Sequence, residues 1–327
     1  MSRVICTCLI LCVCLSSLVS AGQNYFAYGN QLYDKGQYLD AVKYFRAAIR
    51  EGQYEPFAWF NLGNTLVQLG KYNIAVVAYH RATELAPGFV RPWVLLGDVY
   101  YYHGDIGMAL AAYRRAQELG ENNEHIHSAM ADLYHQGHDL TDAQREYEIV
   151  LKINPDRVDC WYALADIQEK LQDYPEAIRV LREAIQLTPT AGADAFFYLA
   201  YLQLQLDSVP QAICALEDGL MLNPGNLLAR RHLAELYRTQ GSPWMSIFTL
   251  EQGLRENVVD NRDLQVDLGA IFFDQQRYDE ALDHYIQAWK LGSSQGRMGA
   301  ENVGNAYSNM GDSIKAENAY RRVRTRE

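Results

Sequence analysis

The chain has little cysteine beyond its first residues. Four of its six cysteines lie between residues 6 and 14, which leaves only Cys160 and Cys214 in the rest of the sequence. Small exported proteins that depend on disulfides carry many more, at regular spacings. This scarcity argues against a disulfide framework, and we expect both remaining cysteines to be buried free thiols.

Positive charge is also scarce. The chain has 29 lysines and arginines against 40 aspartates and glutamates, a formal net charge of −11. Proteins that bind nucleic acid or an anionic membrane need a cationic surface to neutralise phosphates. We therefore expect no nucleic-acid partner, and a neutral or basic protein partner fits the charge better.

A long apolar run occurs at the beginning of the chain. Arg3 precedes an apolar stretch from Val4 to Leu15 broken only by Thr7, and Val19-Ser20-Ala21 offers small residues for cleavage. The pattern predicts a secretory signal peptide over residues 1–21. The run is shorter than the ~20 residues of a membrane span, with an uncleaved anchor as the alternative. We expect an exported protein, periplasmic or extracellular, without a membrane span after cleavage.

Sites of chemistry are missing as well. The sequence has no phosphate-binding glycine loop, nucleophile elbow or zinc-protease helix motif, so we expect neither an enzyme nor a cofactor. The candidate metal ligands are Asp132 and His135, three residues apart on one predicted helix. No Asn-x-Ser/Thr glycosylation site follows residue 21, which favours a bacterial envelope over a glycosylating secretory pathway.

What the sequence does have is a repeat. A small residue recurs every 34 or 35 positions, and a second small column follows the first by 12 positions. The first column is Gly29, Gly63, Gly97, Ala131, Ala165, Ala200, Ala234, Gly269 and Gly304. The second is Ala41, Ala75, Ala109, Ala143, Ala177, Ala212, Ser246, Ala281 and Ala316. Because both columns gain single residues at the same places, they report one structural unit copied nine times.

Each unit reads as two short helices. Apolar residues recur at helical spacing on both sides of a glycine, as at Gly36, Gly70, Gly104 and Gly241, which predicts a left-handed residue at the helix end. Proline follows the second helix of several units, at Pro87, Pro155, Pro189 and Pro224. The stretch Gly292–Gly296 is the most linker-like segment, and predicts a more mobile last unit.

The segment from Trp59 to Pro87 resembles a tetratricopeptide repeat. The matching residues are Trp59, Gly63, Gly70, Tyr72, Ala75, Tyr79, Ala82 and Pro87. The resemblance implies an all-α fold, a right-handed α-solenoid superhelix of about nine tandem helix-turn-helix repeats over residues 22–327. The repeats are predicted at 22–55, 56–89, 90–123, 124–157, 158–192, 193–226, 227–261, 262–296 and 297–327.

The resemblance also implies that first helices line a concave groove that holds peptides. The residue after each small position faces that groove, and its central members are carboxylates that would form an acidic ladder for a basic peptide. Neighbouring aromatic residues would add apolar contact. The predicted partner-binding residues are Asn30, Phe60, Asn61, Asn64, Asp98, Tyr101, Asp132, Tyr162, Asp166, Phe197, Tyr201 and Glu235.

These observations predict a protein–protein interaction scaffold. Its partners would be proteins or peptides with basic or aromatic segments. The alternative is a structural subunit of a cell-envelope or secretion assembly that uses its ends and convex face. A metal-binding protein centred on Asp132 and His135 is a further alternative.

Overall fold

A computed structural model of the chain describes residues 24–188, 192–256 and 261–325. These residues form 18 α-helices and no strand. The helices divide between two compact units, of which unit 1 ends at Ile153 and unit 2 begins at Asn154. The predicted signal peptide at residues 1–21 and Pro189 lie outside the described residues. Within the ranges that the structure describes, no helix is long and apolar enough to cross a membrane.

Unit 1 contains four helical hairpins. Its helices are α1 (Tyr25–Asp34), α2 (Tyr38–Arg50), α3 (Glu55–Gln68), α4 (Tyr72–Leu85), α5 (Val90–His103), α6 (Ile106–Glu118), α7 (Glu124–Gln136) and α8 (Leu140–Ile153). Each helix packs against the next in sequence, and α1 also contacts α3 as α5 contacts α7. This stacking of neighbouring hairpins is the arrangement of an α-solenoid.

Unit 2 contains five hairpins of the same kind. Its helices are α9 (Val158–Lys170), α10 (Tyr174–Leu187), α11 (Gly192–Gln205), α12 (Val209–Leu222), α13 (Leu227–Thr239), α14 (Pro243–Arg255), α15 (Arg262–Asp274), α16 (Tyr278–Lys290), α17 (Ser294–Asn309) and α18 (Ser313–Thr325). The helices α3, α11 and α17 begin one to three residues before the predicted repeat boundaries. The predicted all-α solenoid fold is confirmed.

The first small column marks where the two helices of a hairpin approach most closely. A Cβ atom added at Gly63 would lie 2.5 Å from a ring atom of Tyr79, and one added at Gly97 would lie 2.5 Å from the ring of Tyr113. Both rings are about 1% exposed. The two tyrosines therefore pack directly against the small column.

The residue that packs against the small column changes with the size of the small residue. The column glycines each face a ring, in the pairs Gly29–Phe45, Gly63–Tyr79, Gly97–Tyr113, Gly269–Tyr285 and Gly304–Tyr320. Where the column holds alanine in unit 2, the residue 16 positions later is a leucine, in Ala165/Leu181, Ala200/Leu216 and Ala234/Leu250. The exception is Ala131, which is followed by Tyr147 at this spacing. A shorter knob thus accompanies a larger residue at the crossing point.

All nine turns inside the hairpins contain a residue with positive φ, seven positions after the small residue. Five of them are glycines, Gly36, Gly70, Gly104, Gly241 and Gly311, with φ between 69° and 80°. The other four are His138, Gln172, Asp207 and Gln276, with φ between 52° and 60°. The left-handed turn is confirmed at the four predicted glycines, and the last group adopts it without the freedom of glycine.

His127 stands where most early repeats have tryptophan, and it is buried. Its Nδ1 lies 2.5 Å from Oε2 of Glu146, which is also buried. Its Nε2 has no hydrogen-bond partner within the described ranges. The fourth hairpin therefore replaces an aromatic knob with a buried polar pair, which a large apolar change at either residue would disrupt.

Two sequence expectations are wrong. Gly292–Gly296 is not a linker, because Ser293 caps α17 by accepting a hydrogen bond from the amide of Gly296, and the helix begins at Ser294. A Cβ at Gly296 would lie 2.6 Å from that of Ala288, so the glycine permits close packing. Of the two free cysteines, Cys160 is buried as expected but Cys214 is exposed.

Candidate partner-binding surfaces

In three hairpins of unit 1, the residue after the small position accepts a hydrogen bond from a tyrosine of the second helix. The hydroxyl of Tyr113 donates to Oδ1 of Asp98 at 2.6 Å, and that of Tyr147 donates to Oδ1 of Asp132 at 2.6 Å. Tyr79 donates to Asn64 in the same way at 2.9 Å. The tyrosine that packs on the small residue thus reaches one residue further and fixes the next side chain.

Asp98 and Asp132 are half-buried and have further polar contacts. Nε2 of His125 lies 2.7 Å from Oδ1 of Asp98, and the hydroxyl of Tyr101 donates to Oδ2 of Asp132 at 3.2 Å. No lysine or arginine of the described residues pairs with either carboxylate. The two negative charges therefore have only tyrosine hydroxyls and one histidine as neighbours in hydrogen-bond contact.

Burial and the two carboxylates together shift the pKa values of the neighbouring tyrosines and histidine. Burial and the hydrogen bond to Asp98 raise the pKa of Tyr113, and burial together with the charge of Asp132 raises the pKa of Tyr101. The hydrogen bond to Asp98 raises the pKa of His125 despite partial burial. The phenols remain neutral donors at ordinary pH.

The other predicted residues of unit 1 have different environments. Asn61 donates from Nδ2 to Oδ1 of Asn30 at 2.7 Å, which links α3 to α1. Phe60 is only 8% exposed and packs against Phe89 and Tyr79, with ring centroids 5.0 and 6.1 Å away. Phe60 therefore presents little of its ring to a ligand, whereas the two asparagines are half-buried.

In unit 2 the predicted acidic residues are neutralised within their own helices. Asp166 accepts a hydrogen bond from Lys170 at 2.7 Å, and Glu235 pairs with Arg238 at 2.7 Å. These pairs span four and three residues of one helix, a spacing that places their side chains side by side. The carboxylates of the column were predicted to be equivalent. In the structure, Asp166 and Glu235 are paired with a lysine or an arginine, whereas Asp98 and Asp132 have no such partner among the described residues.

An aromatic cluster surrounds Glu169, which the predicted site omitted. Its carboxylate accepts hydrogen bonds from Tyr198 at 2.5 Å and Tyr201 at 2.9 Å. The rings of Tyr162, Tyr198 and Tyr201 lie nearly parallel at successive centroid distances of 6.4 and 6.2 Å. Burial raises the pKa of Tyr162 to about 12. The i, i+3 spacing of the two α11 tyrosines was the available sequence signal.

Glu235 lies at the rim of a cavity of about 440 Å³ between α13 and α15. Two cross-helix ion pairs border it, Arg231 with Asp267 at 2.5 Å and Arg238 with Asp274 at 3.5 Å. The wall includes Ala270, which replaces the aspartate or asparagine found at this place in α3, α5 and α7. The missing polar side chain opens space on this face.

The remaining predicted residue, Phe197, is half-buried and its ring packs beside Gly219.

Across the described ranges, no group of three or more histidine, cysteine, aspartate or glutamate side chains is placed to hold a metal ion. Both oxygens of Asp132 accept hydrogen bonds from tyrosines. The ring of His135 meets the ring of Tyr147 edge-on, with centroids 6.4 Å apart. The geometry at this place is that of a tyrosine-lined carboxylate.

Stacked helical hairpins with small residues at the crossing points define a helical-repeat protein. Family models described as tetratricopeptide repeat match residues 26–72 and 128–192, residues 56–89, and residues 90–123. The chain is therefore a tetratricopeptide-repeat protein, and its hairpins after residue 192 continue the same pattern. Proteins of this family generally bind other proteins or peptides, which supports a protein-interaction scaffold for the chain in general terms. No curated protein matches it.

Solved structures share the fold. The structure of Naa15/Naa10 bound to HypK-THB matches 88% of this chain and 47% of its own, with 17% sequence identity and a TM-score of 0.56. YrrB, described as a tetratricopeptide-repeat protein with an unusual peptide-binding site, matches 57% of this chain and 95% of its own, with 18% identity and a TM-score of 0.48. A tetratricopeptide-repeat protein from Parabacteroides merdae matches 74% and 94%, with 18% identity and a TM-score of 0.46.

Proposed function

We propose that the chain holds basic segments of partner proteins on the first-helix face of unit 1. The observation that supports this proposal is the pair of carboxylates at Asp98 and Asp132, which have no lysine or arginine partner among the described residues. A half-buried carboxylate whose neighbours are tyrosine hydroxyls and one histidine lacks a permanent counter-charge, which is costly. An incoming arginine or lysine side chain would supply that counter-charge.

The surroundings of these carboxylates suit an extended peptide. Asp98 uses Oδ1 for both Tyr113 and His125, so its Oδ2 is available for a charge-assisted hydrogen bond. The ring of Tyr101 lies between the two carboxylates in sequence and is itself half-buried. A guanidinium group can bond to a carboxylate and stack on a tyrosine ring at the same time.

Replacing Asp98 and Asp132 by asparagine separates the effect of their charge from the effect of their packing. The structure already holds an asparagine in this column, because Asn64 accepts the hydroxyl of Tyr79. The double variant Asp98→Asn/Asp132→Asn should therefore keep the bonds from Tyr113 and Tyr147 and lose the two charges, while the new amide nitrogen at position 132 donates to the hydroxyl of Tyr101. Asp166→Asn is the matched control, because that carboxylate is already paired with Lys170.

The test uses the chain from Gly22 onward as bait on an array of synthetic peptides that contain arginine or lysine, beside matched peptides with citrulline or norleucine. We expect the basic peptides to bind the unaltered protein and the control, and to bind the double variant about tenfold or more weakly, the effect of one lost charge-assisted hydrogen bond. Equal binding of all three proteins, or equal binding of charged and neutral peptides, contradicts the proposal.

A surface on the second helices favours a second candidate, a structural subunit that docks against an acidic partner subunit. Ile74 is 49% exposed and Val77 is 56% exposed beside a cavity of about 550 Å³. Arg46 and Arg50 line the same cavity and form no ion pair with the described residues. The charge of this surface is thus opposite to that of the first-helix face.

Charge reversal distinguishes the two candidates. The variant Arg46→Glu/Arg50→Glu should release the chain from its native assembly in sedimentation of cell extracts while leaving basic-peptide binding unchanged. An unchanged sedimentation profile, together with loss of peptide binding only in the Asp98→Asn/Asp132→Asn variant, excludes the structural-subunit candidate.

We further propose that the chain acts outside the cytoplasm, in the periplasm or the extracellular space. The basis is the apolar leader from Val4 to Leu15 followed by small residues at Val19-Ser20-Ala21. N-terminal sequencing of the protein from fractionated cells tests this, and a mature chain beginning at Gly22 in the exported fraction is the expected result. An intact leader on protein in the cytoplasmic fraction contradicts it.

A further inference from the structure

Unit 2 contains a second cavity, apart from the first-helix surfaces described above. It has a volume of about 390 Å³ and lies between α10, α11 and α12. Phe196 and Leu199 of α11 form apolar parts of its wall, together with Pro210 and Ala215 of α12. A cavity of this size is within the range of pockets that hold a small organic group.

A buried hydrogen-bond acceptor forms part of the cavity wall. Gln203 is 4% exposed, and its side-chain Oε1 has no hydrogen-bond partner within the described ranges. Buried polar atoms in native proteins are nearly always hydrogen-bonded, so an unpaired carbonyl oxygen beside an open cavity points to a donor that is supplied from outside.

Comparison with other hairpins explains the cavity. Three residues after the small position, where α11 has Gln203, four other first helices have a tyrosine, namely Tyr100, Tyr134, Tyr237 and Tyr307. The tyrosine hydroxyl meets a side chain on the preceding second helix, in the pairs Tyr100–His80, Tyr134–Arg114, Tyr237–Glu217 and Tyr307–Asp279. Glutamine has no ring, so it fills less of this place, and Gln203 is one of the residues that line the cavity.

We propose that this cavity binds the side chain of a tryptophan in a partner polypeptide. The indole ring supplies apolar surface for Phe196 and Leu199, and its N–H donates to Oε1 of Gln203. Indole is a donor only, so its burial leaves no second polar atom unsatisfied, whereas a phenol would bring an oxygen that also accepts. Arg182 and Asp218 also line the cavity and have opposite charges, which favours a neutral side chain.

The site is independent of the acidic face of unit 1 and rests only on the general proposal that the chain binds polypeptides. Cys214 lies on the cavity wall and is exposed, so it reports occupancy. In the chain from Gly22 onward the only other thiol is Cys160, which is 1% exposed. Alkylation by iodoacetamide under native conditions therefore measures Cys214.

The probe is N-acetyl-tryptophanamide, a neutral mimic of a tryptophan within a chain. We expect it to slow the alkylation of Cys214 in a saturable way. The 1-methylindole analogue, which cannot donate, should bind about tenfold more weakly, the effect of one neutral hydrogen bond. Equal protection by both compounds, or protection by neither, overturns the proposal.

Variants at the acceptor complete the test. Gln203→Leu should remove the difference between the two compounds, and Gln203→Tyr, which introduces the residue of the other hairpins, should abolish protection in a folded chain. Gln168→Leu is the matched control at the equivalent buried position of α9 and should change neither result. A Gln203→Tyr protein that folds and is still protected overturns the site.

Two further comparisons define the source of the ligand and the independence of the site. Free tryptophan, with its two charged groups, should protect less than the neutral amide, and stronger protection by the free amino acid overturns a polypeptide occupant. The Asp98→Asn/Asp132→Asn variant should show unchanged protection, so failure of the peptide-binding proposal and failure of this site give different results.

Discussion

Replacing Gly97 by alanine tests whether the close approach of a glycine and a tyrosine holds the hairpins together. The new Cβ would lie 2.5, 2.6 and 2.7 Å from three ring atoms of Tyr113. Carbon atoms in contact are ordinarily about 3.5–4.0 Å apart, so the ring or the helix must move by about 1 Å. The ring is buried and its hydroxyl is bonded to Asp98, which leaves it little freedom.

Two effects of opposite sign decide the magnitude. Overpacking of this kind costs about 1–3 kcal/mol, whereas alanine favours a helix over glycine by about 1 kcal/mol. We therefore expect Gly97→Ala to destabilise unit 1 by roughly 0–2 kcal/mol. The fourth hairpin combines Ala131 with Tyr147, so the substitution should be tolerated without loss of the fold.

A second substitution reverses the sign of the change in stability that Gly97→Ala causes. Tyr113→Leu introduces the knob that accompanies alanine in three hairpins of unit 2, and it removes the ring that the new Cβ would meet. In that background only the propensity term remains, so Gly97→Ala should stabilise the protein by about 1 kcal/mol. The coupling energy between the two sites should then be about 1–3 kcal/mol.

Urea denaturation monitored by circular dichroism gives the free energies of unfolding for the four proteins. Because repeat arrays can open locally, hydrogen exchange in peptides from α5 and α6 should show the same order of protection. Effects of the two substitutions that add within about 0.5 kcal/mol would refute the packing argument, since independent sites behave in that way.

Three further predictions concern strain, burial and charge. Gln276→Gly should stabilise the protein by about 1 kcal/mol in urea denaturation, because the φ of 60° strains a residue with a Cβ atom; destabilisation would contradict this. Glu146→Leu leaves buried His127 without a partner and should cost about 1–3 kcal/mol, with His127→Trp restoring stability in the double variant; a neutral single variant would show that the pair is unimportant. The bond to Asp98 raises the pKa of His125, so its contribution to stability is fully present below the unfolded pKa of 6.5 and is lost as pH rises through the folded value. His125→Gln should remove this part of the pH dependence of the urea midpoint, and an unchanged profile argues against the bond.

Much of the fold was predictable because the repeat depends on residue types at fixed positions within one hairpin. A helix crossing needs a small residue wherever it occurs, so Gly63 and Gly97 could be placed before any contact was known. Turn glycines such as Gly104 were equally visible. The turn at Gln276 was not marked by residue type, since only the packed hairpin forces its positive φ.

The candidate site was predictable only in part. The column after the small residues was recognisable, but its carboxylates were predicted as equivalent, although Asp166 has a lysine four residues later and Asp98 does not. Asp98 meets Tyr113, which is 15 residues away and on the other helix of the hairpin, whereas Asp166 is paired by Lys170 on its own helix. The second pairing follows from helical spacing, and the first depends on how the two helices cross.

The sequence by itself determined the unit, its period and its two columns of small residues, because those features depend on residues within a single hairpin. Only the tertiary structure decided that Asp98 and Asp132 are bonded by tyrosines of the second helix, that Cys214 is exposed and that Gln203 borders a cavity. These properties depend on what neighbouring hairpins bring to the same place.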